Sequence, residues 1–455
     1  MTAAGPVSPI PARLRGGPAV KVVLVGMLVF ALLIPLFLVH DAIQERHGRH
    51  REAVAEIGFA WGRPQALVGP VLVVPYAEDR KDTDGRVVTL RHRLFLFPER
   101  LEVAGELAPE VRYRGLFEAV VYRADVKVRA SFTQPDLQAL AGPRARIEPR
   151  EAYLAVGLSD PRSIDPGFAL TVDGRAVATA PDSGLRSGSL SWLRGALPVE
   201  ADGTGRSFAV AFDMRFNGSE RLLFAPLGKD TRATLGGAWP SPSFTGAFLP
   251  TDRRVTDDRF DASWAVSWFG RGFGESWAGG EAGDPGQTLE ASLFGATLLQ
   301  TVSPYRLVER AAKYGILFLV LTFAVYLLFE LKGGLRIGIV SYGLVGLSLC
   351  LFYILLLALS EPFGFAPAYG AAALAVVVQA SLYTSAVSRS LGRGALFGGL
   401  LAGLYGVLFV LLGLESYALL LGAVLLFAAL SAVMYLTRRI DWQARGPVER
   451  AAPTV

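Results

Sequence analysis

One cysteine in 455 residues leaves no second thiol for a disulfide within the chain. That residue, Cys350, lies inside an apolar run, and only four histidines accompany it, so a structural zinc site built on Cys and His ligands is excluded. His47 and His50 stand three apart on a charged helical stretch. No nearby cysteine or carboxylate pair completes a metal site there, and a solvated face is expected. The catalytic templates are missing too. There is no G-x-S-x-G elbow, no H-E-x-x-H helix and no Walker sequence, so the chain does not drive transport by its own ATPase. Gly270-x-Gly272-x-Gly274 resembles a phosphate loop but sits between strand-like aromatics and opens no helix, so a plain loop is predicted. Asp257 and Asp258 belong to a polar turn. The formal charge of +5 is no nucleic-acid signal, because no basic run with interleaved aromatics occurs.

Charge is absent from five long stretches. Val22–His40, Ile337–Ser360, Pro362–Ser388, Gly394–Leu414 and Ser416–Thr437 contain no Asp, Glu, Lys or Arg. Tyr314–Phe329 is a shorter sixth, flanked by Lys313 and Glu330, whose charges can snorkel to the interfaces. A spanning helix needs roughly 20 apolar residues, and uninterrupted runs exclude a barrel. A six-helix membrane protein is predicted, one helix followed by five, with the lipid bilayer as its first partner. The N-terminal run is too long for a usual signal core and no A-x-A-like site follows Val39, so an uncleaved anchor is expected.

Short loops carry the orientation signal. Lys332 and Arg336, Arg389 and Arg393, and Arg438 and Arg439 alternate with loops holding only Glu361 and Glu415. This predicts cytoplasmic termini and an external central block. Arg46, Arg49 and Arg51 oppose it, roughly matching Arg13, Arg15 and Lys21 across the first helix.

The predicted organisation runs as follows: a cytoplasmic tail (1–19, with Met1–Pro18 disordered), helix one (20–40), a helical stalk (41–60) and a periplasmic β-rich domain (61–310). A five-helix bundle (311–437; about 314–331, 337–359, 367–387, 394–413 and 416–437) and a cytoplasmic tail (438–455) follow. In the β-rich block, Phe208, Val210, Phe212, Met214 and Phe216 alternate with polar or small residues. Val126, Val128, Ala130 and Phe132 do the same, as do Trp264, Val266 and Trp268, while Leu67–Tyr76 is a continuous buried run. Period two with one apolar face predicts antiparallel sheets on a core, one large sandwich or two fused. Asp84-Gly85, Asp173-Gly174 and Asp202-Gly203 are hairpin-type turn signals.

Two groups of residues are candidates for function. In the bundle, Ser341, Tyr342, Gln379, Tyr383 and Thr384 could form a polar cluster, with Ser348, Ser381 and Ser385 nearby. A transporter or channel subunit would need Tyr342 and Gln379 to face one cavity. Glu330 and Glu361 are placed at the interfaces, where carboxylates are tolerated. In the β-rich block, Trp239, Phe244, Trp268 and Trp277 are the candidate exposed binding surface, with sheet core as the competing reading. Gly399-x-x-x-Gly403 in the fifth run is expected to admit a close helix neighbour, and Trp442 to anchor at the interface.

Several long motifs, in order, resemble one family. They include Gln65-Ala66-Leu67-Val68-Gly69-Pro70, Trp239-Pro240-Ser241-Pro242-Ser243-Phe244 through Pro250, and Arg310-Ala311-Ala312-Lys313-Tyr314-Gly315. Ser360-Glu361, Tyr417-Ala418-Leu419-Leu420-Leu421-Gly422 and Asp441-Trp442 continue the series. From about residue 22 to 442 the chain is similar to the CreD family of bacterial inner-membrane proteins. Two stretches depart from that family's pattern, Gly338–Tyr342 after Ile337 and Val302-Ser303-Pro304-Tyr305. The resemblance implies an envelope-integrity or stress-response role, without catalytic residue or cofactor. It agrees with a non-enzymatic protein whose outer domain engages an envelope protein, peptidoglycan or lipid; an unrecognised envelope enzyme is the remaining alternative.

Overall fold

The alternation from Phe208 to Phe216 has a structural counterpart residue by residue: along Ser207–Ser219 every second side chain is buried. In the computed structural model, which describes residues 18–81, 84, 86–187, 189–200, 202–279, 286–298, 304–333, 337–414 and 418–438, two units separate. One comprises Met1–Gly48 and Val302–Val455, the other Arg49–Thr301. Helix α1 (Pro18–Trp61) is unbroken and divides between them.

The second unit is built from strands β1 (Gln65–Lys81), β2 (Val87–Leu96), β3 (Arg100–Arg114), β4 (Phe117–Thr133), β5 (Arg146–Ile147), β6 (Tyr153–Leu158), β7 (Ala169–Val172), β8 (Arg175–Val177) and β9 (Thr179–Ser187). It continues with β10 (Leu190–Ala196), β11 (Ser207–Ser219), β12 (Arg221–Phe224), β13 (Asp230–Gly237), β14 (Pro242–Gly246), β15 (Asp252–Val255), β16 (Phe260–Ser267), β17 (Ser276–Gly279) and β18 (Phe294–Leu298). Two short helices, α2 (Leu137–Ala141) and α3 (Gly286–Ala291), interrupt the strands. One sheet runs β14-β18-β12-β1-β6-β10-β9, with β2 and β5 also on β1, and β17 on β2. The other runs β15-β16-β13-β3-β4-β11-β7-β8.

Both sheets contribute to a single hydrophobic cluster, in which Val68 and Val73 of β1 join Met214, Phe260 and Phe294. Each such side chain contributes about 1.5–3 kcal/mol when fully buried. The eight-stranded sheet buries alternate residues, whereas β1 is buried almost throughout its first thirteen residues, which is why it reads as a continuous apolar run.

The sheets are not purely antiparallel. β1 pairs with β12, and β3 with β13, in parallel. Period two specifies which face is apolar and says nothing of strand direction. Asp173-Gly174 is the two-residue hairpin expected, joining β7 to β8 with φ of 49° and 77°. Asp202-Gly203 instead lies in the connection from β10 of one sheet to β11 of the other. β1 and β2 are paired as neighbours in sequence, and of the Asp84-Gly85 signal between them Gly85 lies outside the described residues.

In the first unit, α4 (Pro304–Lys313), α5 (Gly315–Gly333), α6 (Ile339–Phe363), α7 (Phe365–Ser388), α8 (Leu391–Gly413) and α9 (Ala418–Thr437) follow one another. Among the described residues, α1, α6, α7 and α8 are long and apolar enough to cross a membrane. The pair α4–α5, bent by 45°, makes a fifth candidate. Pro362 does not open a new helix, since α6 runs on to Phe363 and stops at Gly364. There the φ of 77° suits glycine, whose N–H bonds Ser360 O at 3.1 Å.

The expected close approach at Gly399 and Gly403 is displaced by one glycine pair. Both are exposed, with nothing near an added Cβ. Instead, a Cβ on Gly398 would lie 2.0 Å from Ser381 Oγ, and one on Gly394 would collide with Ser385 of α7. The five-residue spacing was legible, but its position around the helix depends on the neighbour. Residues 1–17, Trp442 and the departures at 302–303 lie outside the described residues, while Pro18 and Ala19, expected in the tail, already belong to α1 because proline is tolerated in a helix's first turn.

Candidate functional site

Polar groups within the helical unit are gathered onto two carboxylates. Glu330, near the end of α5, accepts from the Lys21 ammonium, from Tyr342 Oη at 3.0 Å and from the Ile337 N–H at 3.3 Å. Lys21 also donates to Ile337 O at 2.7 Å and lies 5.9 Å from the Tyr342 ring centroid. Only 10% of the Glu330 side chain is exposed. A carboxylate so enclosed requires a counter-charge and donors, and here both are supplied.

The second carboxylate is Glu361 in α6, 8% exposed. It accepts from Tyr305 Oη of α4 at 3.2 Å and lies 3.7 Å from Arg46 Nε. His47, next along α1, stacks on the Tyr305 ring at 6.2 Å, so it is not the solvated residue expected. His50, in the other unit, rests against Phe117 at 5.8 Å. Among the described residues no group of His, Cys, Asp or Glu is arranged to hold a metal.

The two centres share a composition: a cation from α1, a glutamate from the bundle and a tyrosine hydroxyl. Lys21 and Arg46 are separated by about 37 Å of helix at 1.5 Å per residue, against a hydrocarbon core of about 30 Å. Each glutamate was expected at an interface; within the helical unit both are withdrawn into the packing and tied to α1. Glu330 thereby accepts from three donors, which tie α5 to α1, to Ile337 and to α6.

The five bundle residues nominated from sequence fall into separate groups. Tyr342 bonds Glu330 and packs edge-on to Tyr326 at 5.1 Å, and Tyr326 Oη in turn lies 3.0 Å from Thr384 Oγ1. Tyr383 Oη donates to Ser341 Oγ at 3.1 Å, and Ser348 Oγ donates to Gln379 Oε1 at 2.8 Å. Tyr342 is fully buried, whereas Gln379 is exposed although its carbonyl meets Ser348 of α6. Tyr342 and Gln379 thus bond different partners, Glu330 and Ser348. Lys21, Glu330, Arg46 and Glu361 were missed as partners because no local pattern links charges more than 300 residues apart.

In the β unit, three of the four nominated aromatics support the core. Trp239, Phe244 and Trp277 are partly buried against it, and Phe244 packs on Phe260 and Trp264 at 6.2 and 5.9 Å. Trp268 is on the surface at 37% exposure, with Phe269 beside it at 83%, their rings 4.8 Å apart. A Cβ on Gly270 would come within 3.3 Å of the Phe248 ring. A signal for Phe269 was available: two successive aromatics after Trp264 and Val266 break the alternation, so both cannot face inward.

The glycine-rich loop is closed by its own arginine. Arg271, 3% exposed, donates to Phe273 O at 3.1 Å, Gly274 O at 2.7 Å and Leu227 O, with the Phe273 ring 4.7 Å away. Burial pushes this guanidinium below its usual range. Gln65 has a similar structural part. It is 1% exposed and donates to Asp160 O, Ser163 Oγ and Asn217 O at 3.3, 3.0 and 2.9 Å. The Arg162 hydrogen bonds hold the adjacent Asp160 carboxyl below the ordinary range.

Residues 18–443 match the family described as Inner membrane protein CreD. The Inner membrane protein CreD of Escherichia coli (strain K12) is 34% identical over 420 residues, which cover 91% of this chain and 92% of that protein.

Proposed function

The chain belongs to the CreD family of inner membrane proteins, and from that premise we propose that it serves cell-envelope integrity or stress response without catalysis. Its β unit is the binding module. It engages an envelope protein, peptidoglycan or lipid, and the six apolar runs form a membrane anchor of one plus five helices. Both termini lie in the cytoplasm and the β unit in the periplasm. The alternation of basic and acidic loops supports that orientation. Arg46 opposes it on charge count alone, yet has a local role as partner to Glu361.

The observation that carries the binding reading is the exposed pair Trp268 and Phe269, whose rings lie 4.8 Å apart. Exposed apolar side chains gathered on one surface of a folded unit mark interaction sites more often than isolated ones do. A photocrosslinking residue at Phe269 of the full-length protein, introduced in living cells, should yield a discrete adduct. The W268A/F269A variant should fail to restore envelope-stress tolerance to a strain lacking the protein, while accumulating in the membrane at normal level. Full restoration by that variant would sink the reading.

A further inference from the structure

The hairpin of β3 and β4 outruns the sheet it belongs to. The partner strand β13 ends opposite Leu107 of β3, and β11 ends opposite Val121 of β4, whereas β3 and β4 stay paired as far as Arg114 and Phe117. The last stretch is therefore a two-stranded ribbon, which is marginally stable in water by itself. One of its faces is covered by α1. Arg112 stacks on the Trp61 ring at 3.5 Å, Arg114 forms an ion pair with Glu56 at 2.9 Å, and the Phe117 ring lies 5.8 Å from His50. The opposite face and the turn are open: Val111 is exposed, as are Tyr113 at 70% and Leu116 at 63%.

The contacts with α1 give the ribbon a direction. From Arg112 through Arg114 to Phe117 the helix partner moves from Trp61 to Glu56 to His50, so the tip advances toward the apolar run of α1. His50 is four residues past Arg46 on that helix, about 6 Å of rise. The headgroup layer outside a hydrocarbon core is itself about 5–7 Å deep on each side.

We propose that the tip of the β3–β4 hairpin rests in the lipid headgroup layer of the bilayer that α1 crosses, with Tyr113 and Leu116 as its contacts. A tyrosine has an apolar ring and a polar hydroxyl, which suits it to that boundary, and leucine supplies apolar area. Net charge does not drive the contact. Glu110 pairs with Arg112 at 2.6 Å and Arg114 with Glu56, which leaves Glu118 as the tip's one charge without an ion pair among the described residues. The surface recognised is therefore zwitterionic. The contact rests on α1 being a membrane span and is independent of the Trp268 surface.

The test places a bimane label on L116C or Y113C of the full-length protein in phosphatidylcholine vesicles, with headgroup-nitroxide or acyl-nitroxide phosphatidylcholine mixed in as quencher. Cys350 is buried, so the introduced thiol is the one that reacts. F37C, at an exposed position of α1, reports contact with the acyl chains, and S207C, opposite Thr133 at the far end of β4, reports the aqueous phase. Headgroup nitroxide should remove at least half of the emission from L116C and Y113C and leave that from S207C unchanged. Quenching of L116C and Y113C no greater than that of S207C overturns the proposal; if acyl nitroxide still quenches F37C, the membrane span itself stands. A blue-shifted L116C label that nitroxide lipid does not quench means that protein covers the tip, and overturns the lipid partner.

Discussion

Two ion pairs, one in each unit, show how differently the same chemistry is used. Lys21 and Glu330 in the helical unit leave 27% and 10% of their side chains exposed. Arg215 and Asp125 on the β unit leave 71% and 42%. The first pair is withdrawn into packed helices and reinforced by a tyrosine and a backbone N–H. The second lies in water, where screening and side-chain entropy cancel most of the attraction. The lesson concerns placement: a charge inside the bundle must be answered by a specific distant residue, whereas one on the sheet face need not be.

The sharpest way to break this contrast is to remove one buried partner. E330A should strand Lys21 beside Tyr342 and lower stability by about 3–5 kcal/mol, read as thermal unfolding in detergent. K21A/E330A should recover a substantial part of that loss. A double variant no better than E330A would mean the charge was not what mattered. Next in size is the glycine register of α8. G398L should drive a side chain into Ser381 and cost about 1–3 kcal/mol, while G399L, facing outward, should unfold like wild type. The reverse order would restore the register expected from spacing alone.

Acid sensitivity offers a third test within the β unit. Asp160 is held below the ordinary carboxylate range by Arg162. A depressed carboxyl stabilises the fold fully above its unfolded value, about 3.9, and the contribution fades as pH falls through the lower folded value. Unfolding midpoints of wild type should therefore approach those of D160N below about pH 4 and exceed them at neutral pH. A gap that stays constant with pH would assign the effect to packing instead. The smallest expected effect is R215A, within about 1 kcal/mol of wild type, matching an exposed pair.

How much of this was legible follows from the range of each signal. Phe208–Phe216 and Val126–Phe132 announced their inward faces because strand periodicity is local, and both strands bury those side chains. The apolar runs announced membrane helices for the same reason. The surface was less legible. Trp239 and Phe244 looked as available for binding as Trp268, since an aromatic beside a turn has the same local context whether it folds under the sheet or over it. Tertiary packing placed the first two against the core and left Trp268 and Phe269 outside.

The sequence alone determined the membrane class, the division into apolar runs and a β-rich block, and the family to which its motifs point. Each of these rests on composition or on patterns a few residues long. Only the tertiary structure decided that β1 lies parallel to β12, that Gly398 rather than Gly399 meets α7, and that Lys21 answers Glu330 across 309 residues. Such pairings depend on which surfaces meet after the chain has folded back on itself. Periodicity reports the face that must be buried and carries no address for the partner that buries it.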